Sequence, residues 1–157
     1  MARVLVTGAA GWLGQSLVAA LASRAEGQVR RLVLGGQQAP PAPPGVETIA
    51  GDLRSPEACA RFCEGGAETL FHCAGVIHPN RTREFYQTNV RGTANLLEAA
   101  ARAKVRRAVL VSSNSPCGCN PHPGHLFDED SPYNPYLNYC RSKMLMEIRL
   151  TVLLRSL

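Results

Sequence analysis

Apolar and polar positions along this chain change period several times, and each change marks an element. Residues 3–7 form a short apolar run that reads as a strand, and 12–24 then repeat apolar side chains at helical spacing. A second apolar run at 29–34 predicts another strand. Gln37 to Gly45 holds four prolines, too many for a helix, and reads as an exposed loop. A short strand follows at 46–50, and a helix starting at Ser55 or Pro56 runs to about Cys63. Thr69–Cys73 has the continuous apolar character of a fully buried strand. Val90, Ala94, Leu97 and Ala101 recur at helical spacing within a long helix over 84–103. Residues 108–112 predict one more buried strand, and a helix carries Tyr139 and Lys143. The tail 148–157 fits either a continuation of that helix or a sixth strand at 150–154. Strands alternating with helices at these lengths imply an α/β fold, a doubly wound parallel sheet with helices on both faces.

The turn between the first strand and the first helix gives this pattern its chemistry. It reads Thr7-Gly8-Ala9-Ala10-Gly11-Trp12-Leu13-Gly14. A strand, a glycine-rich turn and a helix start together make a phosphate cradle. Gly8 permits the tight turn, Gly11 lets the backbone approach a pyrophosphate, and Gly14 allows close helix–strand packing. Unpaired N–H groups and the helix dipole favour an anion there. Ligands in such sheets bind beyond the C-terminal strand ends, and the unusual residues fall at those ends. Gly51-Asp52-Leu53 follows the third strand, where a carboxylate can accept from an adenine amino group. Cys73-Ala74-Gly75 follows the fourth, where small residues leave room for a cofactor. Ser112 and Ser113 follow the fifth. Tyr139 and Lys143 stand one helical turn apart on the last helix. A lysine ammonium beside a tyrosine favours the phenolate. With a serine hydroxyl to hold a substrate oxygen, the set can move a proton while a nicotinamide moves a hydride.

Composition narrows the class. At 157 residues, with 45% hydrophobic and 18% charged residues, the chain fits one globular domain with a real core. The net charge of +5 is mild. Its densest basic cluster (Arg102, Lys104, Arg106 and Arg107) has no interleaved aromatics, so it reads as a helix C-terminus and gives nucleic-acid binding little support. No apolar segment is long enough to span a bilayer, and no secretory leader precedes the first strand. Six cysteines are expected as free thiols in a reducing cytoplasm. Cys117, Cys119, His122 and His125 cluster, but their spacing matches no common zinc pattern, so no metal is expected.

Taken together, the Thr7–Gly14 loop, Gly51-Asp52-Leu53, His72–Gly75, Asn89–Ala100, Val111-Ser112-Ser113 and Tyr139–Lys143 resemble the extended short-chain dehydrogenase/reductase superfamily, in its NAD-dependent epimerase/dehydratase branch. The resemblance covers essentially the whole chain, in family order. It implies a single NAD(P)-binding Rossmann domain over 1–157, ending before the smaller substrate lobe that members carry beyond the Tyr–Lys helix. A sheet edge and an apolar face are then expected to lie uncovered, inviting self-association. The resemblance implies Tyr139 as acid/base, Lys143 as its tuning partner and ribose ligand, and Ser113, rather than Ser112, as the group that polarises the substrate oxygen. Cofactor contacts are implied for Gly8, Gly11, Trp12, Leu13, Gly14, Asp52, Leu53, Ala74 and Gly75, besides Tyr139 and Lys143. Asn89 is a supporting polar residue, structural or catalytic.

Two departures bear on that reading. Gly35-Gly36 stands where NAD-preferring members carry an acidic residue, leaving NAD or NADP open, with Arg30 or Arg31 as candidates near a 2′-phosphate. Pro116-Cys117 replaces the usual Val-Tyr, a change expected to alter loop shape and substrate fit. The activity implied is epimerisation or dehydration of a nucleotide sugar. A carbonyl or 3β-hydroxysteroid-type reductase and a non-catalytic dinucleotide sensor are the alternatives. A homodimer through the helices at 84–103 and 139–149 is the expected assembly.

Overall fold

A computed structural model describes residues 2–24 and 27–155. The chain divides into two compact units, Met1–Gly75 with Asn95–Val111, and Val76–Ala94 with Ser112–Leu157.

The first unit is built on five parallel strands: β1 (Ala2–Thr7), β2 (Gly27–Val33), β3 (Val46–Ala50), β4 (Thr69–His72) and β5 (Arg107–Leu110). Their order across the sheet is β3-β2-β1-β4-β5. Three helices serve it: α1 (Trp12–Ser23), α2 (Pro56–Cys63) and α3 (Thr93–Arg102). The period-2 alternation of the strands sorts side chains onto two faces. Leu5, Leu32 and Leu70 join Cys59 and Phe62 of α2 and Leu96, Ala99 and Ala100 of α3 in one core. Val6, Val29 and Val33 point the other way, onto Val18 of α1 with Leu17 and Leu21 around it. Helices therefore cover both faces, as the alternating pattern predicts. The order of successive strands reverses at β1, whose neighbours β2 and β4 start opposite halves, and this is where such folds open a crevice for a ligand.

Helix ends follow local chemistry. Ser55 caps α2 by accepting the Ala58 N–H at 3.1 Å, with Pro56 at the first helical position and Glu57 in the first turn. Ser55→Ala is expected to cost about 1 kcal/mol in a urea titration. At the end of α3 the Val105 N–H reaches Ala100 O at 2.9 Å and the Lys104 N–H reaches Ala101 O at 3.0 Å. That pairing closes the helix with Lys104 in the left-handed region at φ 59°, where glycine is the usual residue. Two members of the basic cluster are ion-paired, Arg102 with Glu98 and Arg106 with Glu68.

Several expectations need correction. β4 is buried only at alternate residues, and β5, predicted as a buried strand, is an edge that pairs with β4 alone among the described residues. Arg107, Ala108 and Val109 are exposed, and Val109 and Val111 keep 40% and 38% of their surface. A strand hydrogen-bonded on one side is not enclosed like a central one. Arg30 and Arg31 are not free cations near a cofactor. Arg30 is held by Glu47 at 2.7 Å and by the carbonyls of Phe62 and Glu64. Arg31, 5% exposed, is held by Thr48 and the Pro40 carbonyl. Both pin neighbouring segments to β2.

In the second unit, the helix expected over 84–103 begins with wider, π-type turns over Phe85–Gly92 before α3 continues it. These turns place Asn89 inward, 1% exposed. Its carbonyl accepts the Val76 N–H at 2.8 Å, and its amide donates to Val76 O and to Ser142 Oγ. Short π turns inside otherwise α-helical segments are frequent at functional sites. The last helix, α4 (Asn138–Arg155), packs on this π-helical segment. The tail is thus helical as far as Arg155, and Ser156 and Leu157 lie outside the described residues. All six cysteines are free thiols. No helix of the described residues is long and apolar enough to cross a membrane.

Candidate active site

The residues expected to hold a dinucleotide lie in the first unit, where β1 and β4 end together. Thr7 Oγ1 and His72 Nδ1 share a buried hydrogen bond of 2.6 Å, and the same hydroxyl oxygen accepts the Ala74 N–H at 3.3 Å. That stitch fixes the floor on which the glycine loop sits. Gly8 has φ +70°, and a Cβ there would lie 2.6 Å from the Ala74 nitrogen and the Cys73 carbonyl carbon. A Cβ on Gly14 would lie 2.1 Å from the Gly8 oxygen. Gly14 therefore presses on the turn itself, where the sequence predicts helix–strand packing. Gly11 ends the loop as the N-cap of α1 in extended geometry, and no side chain caps the helix. Uncapped N–H groups with no side chain over them suit a pyrophosphate, so the residues present fit the phosphates of a dinucleotide.

The other expected cofactor residues divide by exposure. Trp12 is 86% exposed and Leu13 is exposed beside it, both on the first turn of α1. Ala74 and Gly75 follow β4 with partial or full exposure. Leu53 is different, with its side chain packed in the core, so a cofactor contact there is left to its backbone. Asp52 accepts the Arg54 N–H at 2.8 Å and the Arg54 guanidinium at 2.8 and 2.5 Å. Those bonds hold its pKa below the usual carboxylate value, so Asp52 is an ionised acceptor already engaged by Arg54.

The residues expected to handle a proton lie in the second unit. Tyr139 and Lys143 stand four residues apart on α4, with the Tyr139 ring 6.2 Å from that of Phe85. Lys143 is 5% exposed. Burial draws its pKa below the ordinary lysine value, and the Glu147 carboxylate pushes it back up. Ser113 Oγ accepts the Ser115 N–H at 3.1 Å, which leaves the hydroxyl hydrogen to point elsewhere. The serine loop continues as a 3-10 turn, Ser115–Cys117, tied down where Pro116 O accepts the Asn134 N–H at 2.8 Å. Pro116 is buried there and Cys117 half-buried. The Pro-Cys pair thus sits within that turn. Asn89, through Ser142, whose hydroxyl donates to the Tyr139 carbonyl at 2.7 Å, braces the start of α4.

An open cleft of about 670 Å³ in this unit is lined by Ser113, Asp128, Glu129, Tyr133 and Glu147, among others. Glu147 was not singled out from the sequence. One of its carboxylate oxygens accepts the Ser112 hydroxyl and the other accepts the Tyr133 hydroxyl at 2.8 Å. Lost solvation and that carboxylate push the Tyr133 pKa up to about 12. The signal available in the sequence is spacing, since Tyr139, Lys143 and Glu147 recur every four residues along one helix face. Among the described residues no group of three or more His, Cys, Asp or Glu side chains is arranged to hold a metal ion.

A parallel sheet with this strand order, a glycine turn at its switch point and a Tyr-x-x-x-Lys helix together define a Rossmann-like nucleotide-binding protein of the short-chain dehydrogenase/reductase type. Residues 4–154 match the NAD dependent epimerase/dehydratase family, and the chain belongs to it. It is 47% identical over 155 residues to the uncharacterised protein y4nL of Sinorhizobium fredii, covering 92% of this chain and 44% of that one. It is 38% identical over 162 residues to the 3 beta-hydroxysteroid dehydrogenase/Delta 5-->4-isomerase of Mycobacterium tuberculosis, covering 94% and 41%. Thermus thermophilus UDP-glucose 4-epimerase in complex with NAD superposes with a TM-score of 0.86 at 29% identity, over 98% of this chain and 51% of that one. The chain thus spans less than half the length of these two curated relatives. Several solved neighbours, that epimerase among them, hold NAD.

Proposed function

We propose that this chain is the dinucleotide-binding, proton-transferring domain of an NAD-dependent enzyme that interconverts a secondary alcohol and its ketone. The observation that carries the reading is the pairing of Tyr139 with a buried Lys143 one turn away on α4. Gly8, Gly11, Gly14 and the start of α1 would hold the pyrophosphate. Asp52 would accept from the adenine, and Lys143 would bind the nicotinamide ribose. Bound NAD supplies the hydride acceptor. Tyr139 would take the proton from the substrate hydroxyl, with the Lys143 cation one helical turn away. Ser113, its oxygen already accepting a backbone N–H, donates its own hydrogen to that same substrate oxygen.

Two substrate classes follow. A 3β-hydroxysteroid or similar alcohol is favoured by the 38% identity over 94% of the chain to a hydroxysteroid dehydrogenase. The acidic lining of the cleft at Ser113, with Asp128, Glu129 and Glu147, also suits a neutral substrate better than an anionic one. A nucleotide sugar remains the second reading, favoured by the fit to UDP-glucose 4-epimerase.

The test is a titration of NADH and NADPH followed by nicotinamide fluorescence, then turnover of a 3β-hydroxysteroid and of UDP-glucose by the protein expressed from its complete gene. Saturable NADH binding and reduction of NAD by the steroid are the expected results. Binding of neither nucleotide overturns the proposal, whereas epimerisation of UDP-glucose alone selects the second reading.

A further inference from the structure

We propose that Glu147 is a positioning residue for the serine loop, holding Ser112 so that the adjacent Ser113 hydroxyl is fixed for the substrate oxygen. The inference rests on the role given to Ser113 above, but its observations are independent of it. Glu147 is the one carboxylate on α4 and projects one turn beyond Lys143. Its two oxygens reach two different segments, Ser112 just after β5 and Tyr133 in the loop that precedes α4. Each is a hydrogen bond from a neutral hydroxyl to an ionised acceptor, the stronger kind. The serine loop is thus gripped on both sides of Ser113. Ser112 is tied to the helix, and the Ser115 N–H is tied to Ser113 Oγ.

The arrangement explains why two consecutive serines stand here. Ser112 spends its hydroxyl on α4, and Ser113 keeps its hydrogen free for a ligand in the cleft it lines with Glu147 and Tyr133. It also places Tyr133 as a donor fixed by the same carboxylate, with its ionisation pushed far above neutral pH. Glu147 touches neither substrate nor cofactor in this scheme. It acts through Ser112, by removing the freedom of the residue beside it. Preorganised donors are what make such a site effective, because no reorganisation is left for the reaction step.

Glu147→Ala, Glu147→Gln and Ser112→Ala separate this role from a general structural one. A hydrogen bond to an ionised group is worth about ten- to a hundredfold in an equilibrium. Glu147→Ala is therefore expected to speed amide hydrogen exchange through residues 112–118 by at least about tenfold. Exchange in the Phe85–Gly92 segment, which is braced by Asn89, should not change. The same variant should lower kcat on the 3β-hydroxysteroid or UDP-glucose by about tenfold or more, with KM within about threefold. Glu147→Gln keeps a carbonyl oxygen for the Ser112 hydroxyl, but as a neutral and therefore weaker acceptor, and should recover part of both losses. Ser112→Ala removes the same bond from the other end while leaving α4 intact, and should reproduce the Glu147→Ala effects even if that variant fails to fold.

Parental exchange rates at 112–118 in Glu147→Ala or Ser112→Ala overturn the proposal. So does a Glu147→Gln variant as impaired as Glu147→Ala, which would assign the effect to charge instead of to the grip on Ser112. Absence of turnover in the parent protein would instead defeat the functional reading, and the exchange measurements would still decide this one.

Discussion

Replacing Tyr139 by phenylalanine is expected to lower kcat by about a hundred- to ten-thousandfold, the usual contribution of a positioned acid/base group. The substitution removes one oxygen and keeps the ring that packs beside Phe85, so α4 should remain folded. NADH affinity should fall little, because the pyrophosphate contacts expected at the glycine loop do not involve this side chain. The measurement is steady-state turnover alongside fluorescence titration of NADH. Tyr136→Phe, on an exposed tyrosine just before α4, serves as the control for a lost phenol. If Tyr139→Phe turns over at the parental rate, another group moves the proton and the proposed mechanism fails.

The second large effect concerns the glycine loop, where two substitutions one turn apart should part company. Gly14→Ala places a methyl 2.1 Å from the Gly8 oxygen and 2.7 Å from its carbonyl carbon. Both are backbone atoms, so nothing flexible can move aside. Overpacking of this kind costs about 1–3 kcal/mol and more where the backbone must shift. A loss of at least about 3 kcal/mol in guanidinium unfolding is expected, with cofactor binding abolished. Gly11→Ala meets only the Gly8 oxygen, at 3.2 Å, and extended backbone geometry suits alanine. Its stability should change by less than about 1 kcal/mol, since alanine is a poor N-cap but no clash results. NADH affinity should nevertheless drop, because the new methyl covers the helix start where phosphate oxygens are expected. Equal stability losses at the two positions would refute this division of roles.

The sequence carries the order of elements because apolar period is a local property. β1, α1, β3 and α2 lie within a residue or two of the positions their periodicity predicts. The exposure of β5 is not local. Val109 and Leu110 look like core residues in any window, yet among the described residues β5 is an edge strand and Val109 is exposed. The π turns at Phe85–Gly92 depend on where Val76 and Ser142 offer partners to Asn89, which no spacing reveals. Among candidate site residues, Gly8, Gly14, Ser113, Tyr139 and Lys143 can be picked out because motif spacing singles them out. Glu147 is half legible, since its place on the helix face can be counted but its bonds to Ser112 and Tyr133 cannot. Arg30 and Arg31 mislead, because a basic residue near a strand end looks the same whether it faces a phosphate or a carbonyl.

The engagement of those two arginines bears on how coenzyme preference could be rewritten in this scaffold. With the Arg31 guanidinium committed to Thr48 and the proline loop, recruiting it to a 2′-phosphate would unpin that loop from β2. Gly35 lies just past the end of β2, and a side chain built there meets nothing within 4 Å. If the coenzyme ribose lies there, as the family resemblance implies, a carboxylate at 35 would repel the extra phosphate and a guanidinium would welcome it. Selectivity at that end is therefore separable from the stability of the sheet.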